Sequence, residues 1–177
     1  IPPLSDAWIE KIEQLAHSLQ LEIVQASAMH ARIAVTTKDA KFFEKIYPFQ
    51  EYAILNHGLG FDEFYLPEVK SEPNALVFVG NYLHYPNAEA LDFLICREVP
   101  DVKIYLVGTN PTEQMLRMAD NRQIIVTGMV DDVREYIQKA SVCIAPLISG
   151  AGLRGKVIEY AALRRPFVAT SIASTDL

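Results

Sequence analysis

The feature that most constrains this chain is a regular alternation along residues 75–170. Five short, nearly all-apolar runs, ALVFVG (75–80), VKIYLVG (102–108), QIIVTG (123–128), SVCIAP (141–146) and PFVAT (166–170), recur there. A run with no polar alternate belongs to a strand buried on both faces. The segments between, NAEALDFLICREV, TEQMLRMA, DDVREYIQKA and LRGKVIEYAAL, carry apolar residues at helical spacing, with Pro86, Pro111 and Asp131 as opening signals. Strands alternating with helices through short connections require a parallel sheet with helices on both faces. The expected fold is therefore α/β, a doubly wound Rossmann-like parallel sheet.

The earlier part of the chain is less regular. Residues 5–20, SDAWIEKIEQLAHSLQ, place Trp8, Ile9, Ile12, Leu15, Ala16 and Leu19 on one stripe, with Ser5 or Asp6 as cap, and predict an amphipathic helix. RIAVTT (32–37) and YAILNHG (52–58) read as short strands on either side of a helix-like KDAKFFEKI (38–46). Residues 60–75, GFDEFYLPEVKSEPNA, are rich in acidic residues and proline without periodicity, which reads as a linker. The expected organisation is a partial αβ unit over 1–59, a linker over 60–75 and the doubly wound domain over 76–177.

Charge and cysteine usage narrow the function classes. Lys plus Arg number 16 against 22 Asp plus Glu, a net charge of −6, so no nucleic-acid partner is expected. Any anionic ligand needs a local basic site. The uncharged apolar run at 140–153 contains Pro146 and is shorter than the roughly 18 to 20 apolar residues of a membrane span. Cys96 and Cys143 each lie in an apolar run and read as buried thiols of a reducing cytoplasm. The start IPPLSD has no initiator Met and no secretory pattern, so a piece of a longer cytoplasmic protein is expected. His17, His30, His57 and His84 are scattered without metal-ligand spacing, so no metal site is expected.

In a doubly wound sheet of order 3-2-1-4-5 the ligand crevice lies outside the carboxyl ends of the first and fourth strands. Those strands lead into Gly80-Asn81 and into the loop PLISGAGLRGK at 146–156. That loop holds three glycines, opens directly into a helix and carries Arg154 and Lys156, with Arg164 and Arg165 close behind. Backbone amides near Gly152 and Leu153, a helix start and two cations together suit a phosphate. Tight turns and solvated cations are the alternative reading. Glu159 is three residues beyond Lys156 on the same helix. Its carboxylate could accept two hydrogen bonds from a ribose diol, or it could pair with Lys156.

The sequence VFVGNYLHYPNAEALDFL, then VKIYLVG, then VTGMVDDVREYIQKASVCIAPLISGAGLRGKVIEYAALRRPFVATS, resembles a known family. It is similar to the C-terminal, donor-binding half of retaining glycosyltransferases of the GT-B fold, the family-4-like group called glycosyl transferases group 1. The resemblance covers about residues 76–171. HGLGFDEFYLP at 57–67 resembles the family's interdomain turn less closely, with His57 and Gly60 in place of an Asn and an Asp.

The resemblance implies transfer of a hexose such as mannose or glucose from a nucleotide diphosphate sugar to an acceptor hydroxyl, with retention and without a cofactor or required metal. The acceptor it implies is a saccharide or a lipid-linked sugar, as in polysaccharide biosynthesis. The place it implies is the cytoplasm, with peripheral contact to the inner membrane face through the missing domain. The family motif has two glutamates separated by seven residues. Glu159 matches the second, on the ribose, while Ala151 stands at the first, on the donor sugar. Arg154 and Lys156 are the implied catalytic cations, neutralising charge on the departing diphosphate. Gly80, Asn81, Gly128, Met129, Gly152, Leu153 and Glu159 are the implied donor-binding positions.

A fragment of this extent is expected to bind nucleotide but not to catalyse alone. A nucleotide-sugar epimerase of the same architecture is one alternative. A non-catalytic flavodoxin-like regulatory domain is another, though the strand-like runs end in Gly80, Gly108, Gly128, Pro146 and Thr170, none of them the Asp a phosphoacceptor needs.

Overall fold

The computed structural model describes residues 5–46, 51–64, 69–95, 101–119, 123–150 and 152–175. Cys96 and Ala151 lie outside the described residues, and so do the expectations attached to them. The chain divides into two compact units, Ile1–Asn56 and His57–Leu177.

In the first unit, helix α1 (Asp6–Gln20) runs through a π-helical turn (Leu21–Gln25) into α2 (Ala26–Ala28). Ser5 stands at its N-cap and accepts the Trp8 and Ile9 amides on its backbone carbonyl, while its hydroxyl makes no cap bond. The predicted apolar stripe is present, and Trp8 and Leu15 on it remain about 60% exposed. Strand β1 (Ile33–Ala34) pairs in parallel with β2 (Ala53–Ile54) across α3 (Thr37–Ile46). Both strands are shorter than their sequence runs. Thr36 leaves the strand because its hydroxyl accepts the Asp39 amide at 3.0 Å and donates to the Asp39 carboxylate at 2.8 Å, which opens α3 instead.

The second unit carries helix α4 (Phe61–Phe64) and then a five-stranded parallel sheet. Its strands are β3 (Ala75–Val79), β4 (Lys103–Val107), β5 (Ile124–Gly128), β6 (Val142–Ala145) and β7 (Phe167–Ala169), in the order β5-β4-β3-β6-β7. Helices α5 (Tyr85–Ile95), α6 (Glu113–Met118), α7 (Val133–Lys139) and α8 (Gly155–Ala162) connect them. The doubly wound expectation holds, with the first strand of the alternation at the centre and the order reversing beside it.

Burial follows position in the sheet. Val77, Phe78, Leu106, Val107, Cys143, Ile137, Val157 and Tyr160 form a fully enclosed core around β3 and its neighbours. Edge strands have one neighbour fewer, so β5 is only half-buried and Val168 on β7 is 66% exposed. All five runs looked alike in sequence. Burial pushes the Cys143 thiol up to about 12, leaving it an inert core residue.

Two helix starts fall one or two residues beyond the expected signals. Thr112, not Pro111, caps α6 by accepting the Met115 amide, and Asp132, not Asp131, caps α7 by accepting the Arg134 amide at 2.9 Å. A cap needs a side-chain oxygen that reaches the second or third helical amide from extended backbone, and these residues meet that geometry. Ahead of β3, the Glu72 carboxylate accepts from Lys103 at 2.8 Å and from the Tyr105 hydroxyl at 2.9 Å, and lies 3.2 Å from Lys139. The Lys103 hydrogen bond foremost holds its carboxyl down at about 2. Among the described residues no helix is long and apolar enough to cross a membrane.

Candidate functional site

Where the order of the sheet reverses, the position expected for a ligand crevice, strand pairing differs on the two sides of β3. β3 and β4 pair at five positions, from Ala75↔Lys103 to Val79↔Val107, whereas β3 and β6 pair only at Leu76↔Val142 and Val77↔Cys143. Beyond Val77 the two strands separate. Tyr160 of α8 bridges the gap, its hydroxyl accepting from the Val79 amide at 3.2 Å and donating to the Ile144 carbonyl at 3.3 Å. The ring is fully buried, so α8 is fixed to both strands that flank the opening.

The loop at 146–154 and the first turn of α8 then deliver two cations, Arg154 and Lys156. Arg154 stands at the N-cap of α8, and among the described residues its buried Nε and Nη2 have no hydrogen-bond partner. Gly150 makes room for that guanidinium. A Cβ there would lie 2.6 Å from Arg154 Nη2 and 3.0 Å from Pro86 Cγ, and the backbone φ is +103°. Ser149 Oγ is likewise buried without a partner. Buried donors of a permanent cation without an acceptor are costly, and an anion would supply what is missing.

Lys156 is the second residue of α8 and points inward. Its ammonium donates to Asn87 Oδ1 at 2.6 Å and sits 4.4 Å from the centre of the Phe78 ring. Burial, and then the neighbouring Arg154 charge, bring its pKa down to about 7, with Glu159 opposing the shift. Glu159 is half-buried, and burial raises its carboxyl while Lys156 and His57 hold it back. Of the two readings of Glu159, no direct ion pair with Lys156 forms among the described residues; the two charges act on each other only through space, and the ammonium's hydrogen bond goes to Asn87.

The other expected positions fall in two groups. Gly80 and Asn81 follow β3, where the Asn81 carbonyl accepts from Asn87 Nδ2 at 2.9 Å and Asn81 Oδ1 accepts from the Leu83 amide and Asn110. Gly152 is exposed and Leu153 half-buried just before α8, beside Arg154. Gly128 and Met129 stand at the end of β5, two strands away, with Met129 82% exposed. Asn87, which touches both the β3 loop and Lys156, was not among the residues singled out from sequence. In PNAEALD it looks like an ordinary polar residue at a helix start. Among the described residues no group of three His, Cys, Asp or Glu side chains gathers where a metal could bind.

Among curated proteins no sequence matches the chain significantly. Solved structures share its fold. TarM superposes with a TM-score of 0.70 at 14% identity, over 86% of this chain and 32% of TarM. A glycosyltransferase from Rickettsia africae gives 0.62 at 15% identity, over 99% of this chain and 50% of that one. HepE from Anabaena, crystallised with UDP and glucose, gives 0.62 at 12% identity, over 81% and 45%. The chain thus spans about a third to a half of the length of these proteins. The family described as glycosyl transferases group 1 matches residues 73–177, more than half of the chain and the whole of the five-stranded sheet. The protein belongs to the glycosyl transferases group 1 family.

Proposed function

We propose that residues 76–177 are the donor-binding part of a glycosyltransferase that moves a hexose such as mannose or glucose from a nucleotide diphosphate sugar to an acceptor hydroxyl, with retention. The observation that carries this reading is the pair of buried, unpartnered guanidinium nitrogens of Arg154, Nε and Nη2, with Lys156 close by, at the point where β3 and β6 part. When the bond from the sugar to the diphosphate breaks, its electron pair stays on the departing oxygen. On this reading Arg154 and Lys156 neutralise that charge. The amides at Gly152 and Leu153 add donors at a helix start, and Glu159 takes the ribose diol. On this reading the task falls to Arg154 and the protonated Lys156, with no metal required.

Family membership favours transfer over epimerisation or a purely regulatory role. Two structural neighbours were crystallised with UDP: HepE, and a variant of TarM from S. aureus that also held fondaparinux and α-GlcNAc-glycerol. UDP is therefore the first nucleotide to try. Residues 1–59 are assigned to the end of an acceptor-side domain and 60–75 to the link between domains. The acceptor is a saccharide or lipid-linked sugar, and the enzyme works in the cytoplasm, at the inner membrane face when the acceptor is lipid-linked.

Calorimetric titration with UDP, GDP and pyrophosphate tests the reading. Charge-assisted hydrogen bonds contribute about 1.5 to 3 kcal/mol each, so Lys156→Ala should weaken all three by about one to two decades. A wild-type chain that binds none of them overturns the site.

A further inference from the structure

Asn87 is buried in the first turn of α5 and uses both ends of its amide. An ammonium can only donate and a backbone carbonyl can only accept. The amide orientation is therefore fixed by its partners, with Oδ1 toward Lys156 at 2.6 Å and Nδ2 toward the Asn81 carbonyl at 2.9 Å. Gly80 fits against the same side chain, and a Cβ there would lie 2.9 Å from Asn87 Cγ. One neutral side chain thus joins the β3 loop to the cation on α8. From these contacts we infer that Asn87 is the positioning residue for the Lys156 ammonium, anchoring it at the crevice without neutralising it.

The inference rests on the donor-site reading for its purpose and on these hydrogen bonds for its content. A carboxylate in the same place would hold the lysine as well but would cancel the charge that a diphosphate needs. Around the ammonium stand the Phe78 ring from β3, Asn87 from α5, the Arg154 cation and the Glu159 carboxylate, with His57 acting on Glu159. Burial, and then Arg154, favour the neutral amine, and Glu159 opposes them. With the pKa at about 7, the charged form that binds anions is lost as pH rises through neutrality, so pyrophosphate affinity should fall over that interval.

The experiment uses the full chain, with pyrophosphate as probe and the Lys156 side-chain NMR titration as a ligand-free readout. Asn87→Asp should raise the Lys156 titration by about one pH unit or more and carry the fall in pyrophosphate affinity to higher pH. At pH 6.5 it should bind pyrophosphate about tenfold more weakly than wild type. Thermal melting checks that the variant is folded. Gly80→Ala keeps the Asn87 chemistry but crowds its amide, and should weaken pyrophosphate several-fold without raising the Lys156 titration. If Asn87→Asp leaves the Lys156 titration and the pyrophosphate profile at wild-type values, the inference is overturned. If the wild type binds no pyrophosphate while Asn87→Asp still raises the titration, the anchoring stands and the donor-site reading falls.

Discussion

Two strand ends of the same sheet look alike in sequence and differ in structure. β3 is followed by Gly80-Asn81, and β5 closes on Gly128 before Met129, so that each apolar run ends in glycine. At the end of β3, Gly80 packs against the Asn87 amide, Asn87 holds Lys156, and the Arg154 guanidinium lies against Gly150. At the end of β5, nothing stands within 4 Å of where a Gly128 side chain would begin, and Met129 is open to solvent. The difference is topological. β3 meets β6 where the sheet order reverses, and their short pairing leaves a crevice, while β5 is an edge with one neighbour. A glycine after a strand becomes part of a built site only where two strands part.

The largest effect should come from filling the space beside Arg154. Gly150→Ala forces a side chain onto backbone at φ +103° and places its Cβ 2.6 Å from the guanidinium. A cost of about 1 to 3 kcal/mol in urea unfolding is expected, with pyrophosphate binding weakened at least about tenfold as Arg154 is displaced. Gly128→Ala also meets a positive φ, +68°, but has open space around it. It should cost about 1 kcal/mol and leave pyrophosphate binding unchanged. Equal losses of binding in the two variants would erase the contrast between the ends.

The order of the sheet was legible because five apolar runs separated by helical segments leave few topologies open. The two cations were legible too, since they follow a glycine-rich loop in an acidic protein. Their direction was not. Lys156 and Glu159 at helical spacing suggested an ion pair, yet the ammonium bonds to Asn87, 69 residues away on another helix. Sequence spacing reports neighbours on one helix and is silent about partners that the crossover brings in. Tyr160 shows the same limit, because its ring reads as part of an apolar stripe while its hydroxyl ties β3 to β6. In the first unit, β-branched residues predicted longer strands than form. A cap on α3 claimed Thr36, and a two-strand ladder offers the rest little to pair with.

A smaller effect distinguishes the nucleoside from the diphosphate within the crevice. Glu159→Gln removes a carboxylate that burial disfavours, and the amide still accepts one ribose hydrogen bond. UDP affinity should fall about two- to fivefold, while pyrophosphate, which has no ribose, should bind as before. Because burial raises the carboxyl, its ionisation opposes folding at neutral pH, so the variant should be no less stable than wild type there. Equal losses for UDP and pyrophosphate would remove Glu159 from the ribose.

The smallest effect belongs to the open end. Adjacent strands lie about 4.8 Å apart, so β5, two strands from β3, is roughly 10 Å from the crevice, a distance a nucleoside spans beyond its diphosphate. Met129, 82% exposed, touches too little to matter for folding, so Met129→Ala should change stability by less than about 0.5 kcal/mol. Its flexible thioether can cover part of a base only once a nucleotide arrives, and that burial is partial. UDP should therefore lose about threefold or less, and pyrophosphate nothing, in paired calorimetric titrations. An unchanged UDP affinity would put the end of β5 outside the donor site and leave the crevice to bind by its diphosphate and ribose contacts alone.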